Sequence, residues 1–339
     1  MTSSIPAPRS RRTFPDIAAV SWEHPADRAA LQALRAVPGV DDVIRRILAM
    51  LGGERGIRLL FLGNAIRVGP HQFPRLWHLH TEVCTTFDWA EVPELYVTQT
   101  PVVNAGAYGI DHPFIVVHSS AIELLGDDEL RVLLAHEMGH VISGHSLYRT
   151  IAAILALVSL GALPALAGLA LLPVRLAFLE WSRKAELSAD RAGLLGSQDI
   201  VAVQKLFMYF AGGGRGEQFA GQLNVDAFMT QANEYATTSE GLDVVYKLLA
   251  TLALTHPMHT IRAGEVQAWV AAGEYERVVR GEYVRRGAEA RERPLSEDFA
   301  QAGRYYADEA KNVASQVADV AKRAAARAQE AFRQSQQKA

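Results

Sequence analysis

The sequence predicts a mostly helical α+β protein with a small sheet. Three observations carry that prediction. Apolar residues recur at three- and four-residue spacing over 25–36, 39–51, 73–87, 129–142, 180–195 and 200–210. Short β-rich runs stand at 95–98 and 114–118. A third feature is an uncharged stretch, 151–174, built almost wholly of Ala, Leu, Ile and Val.

The helices are punctuated as expected. Pro38-Gly39 and Gly52-Gly53 break the first two, and Gly212-Gly213-Gly214-Arg215-Gly216 follows the helix at 200–210 as a linker. That glycine run is no phosphate loop, since no Gly-Lys-Ser/Thr follows it. The helix at 129–142 opens after Asp127 and Asp128, acids where the helix dipole favours them.

With 339 residues, 49% of them hydrophobic, and a net charge of −3, the chain can bury a large core. The absence of a basic excess argues against nucleic acid as a partner. Cys84 is the sole cysteine, which excludes an intramolecular disulfide and a thiolate zinc cage and fits a reducing compartment. Arg9, Arg11 and Arg12 are followed by Pro15 and Asp16 rather than by an apolar segment, so no cleaved secretory signal is expected, and the location expected is cytoplasmic.

Chemistry concentrates in two places. His136-Glu137-Met138-Gly139-His140 lies inside the helix at 129–142. Its two histidines project from one helix face and can share one metal ion, while Glu137, one position on, is aimed beside that ion as a general base. Some 46 residues after His140 comes Glu186-Leu187-Ser188-Ala189-Asp190, again on a helix. Glu186 is the third metal ligand expected. Asp190 is expected to accept the free N–H of a ligand imidazole, or else to pair with Arg183 or Arg191. One Zn²⁺ per chain is the cofactor this donor set implies. His71, His78, His80, His112 and His118 are scattered without metal spacing and read as structural or exposed.

Together with Asn104-Ala105-Gly106-Ala107, the run Phe114 to His118, and His256-Pro257-Met258-His259-Thr260-Ile261-Arg262, these motifs resemble the HtpX-type family of zinc metallopeptidases. That family includes prenyl-protein and mitochondrial inner-membrane quality-control proteases. The likeness covers about half the chain; the first hundred residues and the tail match loosely or not at all. It implies a gluzincin fold whose small sheet borders the cleft. An extended peptide would then add as a strand beside 114–118, with Asn104, Ala105, Phe114 and Val116 touching substrate. His256 is expected at the metal's far side, polarising the oxyanion or filling the open position. Arg262 is expected to stabilise nearby negative charge or to pair with Glu265.

The segment 151–174 is long enough to span a bilayer once. A single crossing would put His140 and Glu186 on opposite sides, and the apolar residues are too few for two. A helical hairpin over about 148–180, turning at Gly161-Ala162-Leu163-Pro164, keeps the ligands level and extends an apolar tip roughly 20 Å from them. Arg149 and Arg175 flank it where cations meet lipid headgroups, and Pro173 kinks or restarts the second arm. The tip is expected to contact one membrane leaflet peripherally, to pack in an oligomer, or to fold over its own domain.

The expected organisation is a flexible N-terminus over 1–20, a metallopeptidase domain over 21–290, and an amphipathic helical tail over 291–339. Tyr306, Ala310, Val313, Val317, Val320 and Ala324 form a weak heptad stripe in that tail, which could self-associate or lie on a membrane. The function expected is zinc-dependent endoproteolysis of unfolded or membrane-associated proteins. The alternative is an inactive or gated zinc protein acting as a membrane-associated scaffold.

Overall fold

In the computed structural model, the residues described are 11–37, 39–50, 53–159, 172–214, 217–219, 221–238 and 256–289. The expected hairpin turn at Gly161 to Pro164 and the heptad tail lie outside them.

The chain begins with helices α1 (Pro25–Ala36), α2 (Val40–Met50) and α3 (Gly53–Asn64), then strand β1 (Ile66–Arg67) and α4 (Pro74–Thr86). Strands β2 (Glu94–Thr98), β3 (Ala105–Tyr108) and β4 (Phe114–His118) follow. Next come α5 (Ser119–Leu124), α6 (Asp127–Ile142), α7 (Ser146–Ser159) and α8 (Leu172–Ser197). The described chain continues through α9 (Ile200–Gly212), α10 (Val225–Thr237), α11 (His259–Ala271) and α12 (Glu274–Val279). The mostly helical α+β architecture is as predicted. Helix α3 went unread behind Gly52-Gly53.

The four strands lie in the order β1-β2-β4-β3, with β2 and β4 parallel and the other two pairs antiparallel. Alternation along β4 divides its side chains between two cores. Ile115 and Val117 face the main core with Leu130, Leu133 and Leu134 of α6. Phe114 and Val116 pack on the other face with Ile57 and Phe61 of α3.

Helix α6 is buried continuously from Glu129 to Val141. Its start is fixed by Glu129, whose carboxylate accepts the backbone N–H of Gly126 at 2.9 Å. On its other side lies α8, and small residues let the two backbones meet. A methyl group added at Gly139 would stand 2.5 Å from the Cβ of Ala192, and Gly193 and Gly196 face Val132 and Ala135 in the same seam. This close approach is what puts Glu186 opposite the histidine pair.

Helix α7 returns against α8 as the hairpin reading requires. His145 contacts Trp181, and Tyr148 contacts Trp181 and Phe178, so the two helices run in opposite directions. Pro173 sits in the first turn of α8, where its missing N–H costs nothing. No helix among the described residues is long and apolar enough to cross a membrane.

Candidate metal centre

His136, Glu137 and His140 come from α6, and Glu186 and Asp190 from α8. One donor atom from each of His136, His140 and Glu186 can be chosen so that all three lie within 4.8 Å of one another. His136 Nε2 is 3.4 Å from Glu186 Oε2, and His140 Nε2 is 3.3 Å from Glu186 Oε1. All three side chains are buried. Two imidazoles and a carboxylate are the donor set of a zinc hydrolase site. One atom strengthens the fit: Glu137 Oε2 is buried and takes no hydrogen bond, an arrangement that a nearby cation would resolve.

Electrostatics match those roles. Burial opposes the charge of Glu186, yet His256, Arg149, Arg262 and His136 together hold its carboxyl well below the usual range. Burial pushes Glu137 upward, the direction a general base needs. His140 is driven well below its ordinary value by burial and by Arg149, so it stays neutral. Burial works against protonation of His136 too, but Glu186 and Asp190 outweigh it and hold the ring at about 9. A metal must displace that proton, which makes uptake pH-dependent.

Asp190 stands where a tautomer-fixing carboxylate should. His136 Nδ1 donates to Asp190 Oδ1 at 2.9 Å. Arg262, not Arg183 or Arg191, neutralises Asp190, with Nε donating to Oδ2 at 2.8 Å and Nη2 to Oδ1 at 2.5 Å. Of the two roles expected of Arg262, it takes the one facing nearby negative charge rather than the pair with Glu265, and its Nη2 also reaches Glu186 Oε2 at 3.3 Å. Arg262 lies behind His136, over the ring of Phe207. It also lines the cavity that opens beside His256.

His256 reaches the site from the segment before α11, its Nε2 3.5 Å from Glu186 Oε1. Glu186 pulls its pKa up, but burial, Arg149 and Arg262 push harder, leaving it at about 4 and the ring neutral. A cavity of about 500 Å³ opens here, lined by Asn104, His256 and Arg262 and by apolar Val102, Phe210 and Met258. Asn104 thus borders the cleft, though its Oδ1 is held by the backbone N–H of Ala105 at 2.9 Å.

No added strand can pair with β4. Strand β4 has β2 on one side and β3 on the other, so its backbone is already bonded along both edges. Phe114 and Val116 are buried against α3 and cannot touch a substrate. The edge strand on this side of the sheet is β3, which contains Ala105.

Arg149 does not face lipid headgroups as its place beside the apolar run predicts. Instead its guanidinium is buried in the site, Nη1 donating to Glu186 Oε1 and lying 2.8 Å from His140 Nε2. Glu137 and Tyr108 also face its charge. His145, Asp27, Ser188 and His24 form a further buried polar chain that the sequence reading passed over. The signal for His145 was Gly144, a glycine placed to end α6. Among the other histidines, His80 bonds the carbonyl of Pro93 and His118 that of Val102, so both are structural.

Residues 70–270 match the family model described as Peptidase family M48. The chain is 37% identical over 272 residues to the plastoglobule-localized metallopeptidase 48, chloroplastic, of Arabidopsis thaliana, covering 79% of this chain and 77% of that one. It is 33% identical over 104 residues to a protease HtpX homolog of Tropheryma whipplei (strain Twist), covering 28% of this chain and 35% of that one. A protease HtpX homolog of Sulfurihydrogenibium sp. (strain YO3AOP1) is 43% identical over 63 residues, 18% of this chain and 21% of the relative. No solved structure matches.

Proposed function

The chain belongs to peptidase family M48 and is a metalloprotease, and on that premise we propose that it is a zinc endopeptidase acting on extended polypeptides at a lipid surface. The observation that carries the proposal is Glu137, a buried carboxylate with a free oxygen beside the His136, His140 and Glu186 donor set.

Zinc held by those three residues would supply a Lewis acid and lower the pKa of a bound water. Glu137 takes a proton from the attacking water and passes it to the leaving amine. Arg149, a buried cation facing Glu137 and Glu186, is placed to steady negative charge developing in the cleft, with His256 at its rim. Asp190 and Arg262 keep His136 in the tautomer that offers Nε2. Strand β3 would take the substrate backbone as an added strand, with Asn104 and Ala105 at its start, and side chains would enter the apolar cavity beside Phe210 and Met258. Only an unfolded or flexible stretch can complete such a ladder.

The lipid surface is argued from the apolar segment 151–174 and from the plastoglobule location in the name of the Arabidopsis relative. The test is hydrolysis of a permanently unfolded protein such as casein, with zinc, with chelator, and by Glu137→Gln. Cleavage that needs both zinc and Glu137 supports the reading. Cleavage that persists in Glu137→Gln, or none at all by a zinc-loaded wild type, overturns it.

A further inference from the structure

His136 has a carboxylate on its outer nitrogen; His140 has none. Its Nδ1 instead faces another imidazole, His145 Nδ1, at 3.1 Å. The backbone explains why. Helix α6 ends in a Schellman turn: Gly144 adopts the left-handed region (φ 68°), its N–H bonds the carbonyl of Val141, and the N–H of His145 bonds the carbonyl of His140. That motif brings the residue after the glycine back beside the residue five positions earlier. An apolar pair usually fills the contact; here two histidines do.

Two nitrogens that close share one proton. His140 Nε2 is the atom facing Glu186, so it must carry the lone pair for a metal, and His140 Nδ1 must carry the hydrogen. His145 Nδ1 is then the bare acceptor, and the proton of His145 must sit on Nε2. Asp27 Oδ2 lies 3.2 Å from that Nε2. The same oxygen accepts the hydroxyl of Ser188, from α8, at 2.6 Å, and Ser188 in turn accepts the backbone N–H of His24 at 2.9 Å. His24, Asp27, His145 and Ser188 are all buried. Asp27 itself comes from the first turn of α1, before the segment 70–270 that matches the family.

We propose that Asp27 and His145 form a relay that fixes the tautomer and orientation of His140, making α1 part of the metal centre. The inference rests on the reading of His136, His140 and Glu186 as metal ligands. Neither Asp27 nor His145 touches substrate; both are positioning residues. A carboxylate reaching a ligand imidazole directly, as Asp190 does, and one reaching it through a second imidazole, as Asp27 does, would give the two histidines matched support from helices far apart in sequence.

The test is zinc affinity by chelator competition on the folded, metal-free full chain, with melting temperature measured alongside. Asp27→Asn and His145→Leu should each weaken zinc binding by about 10–100-fold, the usual effect of losing such a partner. His145→Gln should fall between wild type and His145→Leu, because its side-chain oxygen can still accept from His140 Nδ1. Zinc affinities within about twofold of wild type, with only the melting temperature lowered, would reduce the cluster to packing and overturn the relay. Should Asp27→Asn yield no folded protein, the His145→Gln and His145→Leu comparison decides, equal affinities overturning it. A wild type that takes up no zinc fails at the level of the ligand set instead.

Discussion

Arg262 grips Asp190 with two nitrogens, Nε on Oδ2 at 2.8 Å and Nη2 on Oδ1 at 2.5 Å, and the same carboxylate holds His136 Nδ1 at 2.9 Å. One bidentate pair thus ties α11 to the ligand helices α6 and α8. Both partners are buried, and the pairing holds Asp190 below the usual carboxylate range against the pull of burial.

Removing the cation should therefore be costly. Arg262→Met leaves Asp190 buried without its counter-charge, and folding stability should fall by about 3–5 kcal/mol. Urea denaturation of metal-free protein measures this, and zinc affinity should drop in parallel. A loss below about 1 kcal/mol would mean that Asp190 finds another partner.

Glu137→Gln keeps the shape of the side chain but cannot take a proton. Turnover should fall by about 10²–10⁴-fold or more while zinc content per chain stays at the wild-type level. Zinc analysis beside a casein assay checks both halves.

The α6–α8 seam predicts a third outcome. In Gly139→Ala, the new methyl would stand 2.5 Å from Ala192 Cβ, a backbone-anchored atom that cannot swing aside. Overpacking of about 1–3 kcal/mol competes with a helix-propensity gain of about 1 kcal/mol, so a modest net loss is expected. The informative readout is zinc binding, which should weaken because the helices part between the ligands. Gly264→Ala, on α11 with open space around it, is the control and should be neutral or stabilising.

His80 supplies the pH dependence. Burial lowers its pKa, and its Nε2 is hydrogen-bonded to the carbonyl of Pro93. The unfolded chain therefore takes up a proton near pH 6.5 that the folded chain refuses. The stability it contributes is intact above that pH and is lost as pH falls toward the depressed folded value, by up to about 1.4 kcal/mol per unit. Denaturation at pH 7.5 and 5.5 should show a larger acid loss in wild type than in His80→Gln.

The grouping of His136, His140 and Glu186 was legible because they lie within two helices, where a four-residue spacing translates directly into one face. Asp190 was legible for the same reason. For its partner Arg262 two roles stayed open, charge stabilisation at the site or a pair with Glu265, because nothing in the local spacing of α11 says that the side chain turns toward α8. Arg149 was misplaced because a charge beside an apolar run reads as solvent-facing. The alternative, a cation buried against Glu186, depends on how α7 lies over the site. The strand at 114–118 was correctly read as a strand, yet strand order is set by long-range pairing, so its inner position was invisible. Asp27 was beyond reach of any local pattern, standing 118 residues before the histidine it meets.

That separation bears on how the protein is made. A chain emerging from the ribosome displays the His136 and His140 pair before Glu186 exists and long before Arg262 arrives to hold Asp190. Its earliest contribution, Asp27, waits unpaired until α7 and α8 fold back onto it. A half-finished copy therefore lacks either Glu186 or the Arg262 charge beside it. On the proposed donor set, a chain not yet extended through α11 would lack the Arg262 that braces Asp190 and Glu186, so the finished site would form only after that helix docks.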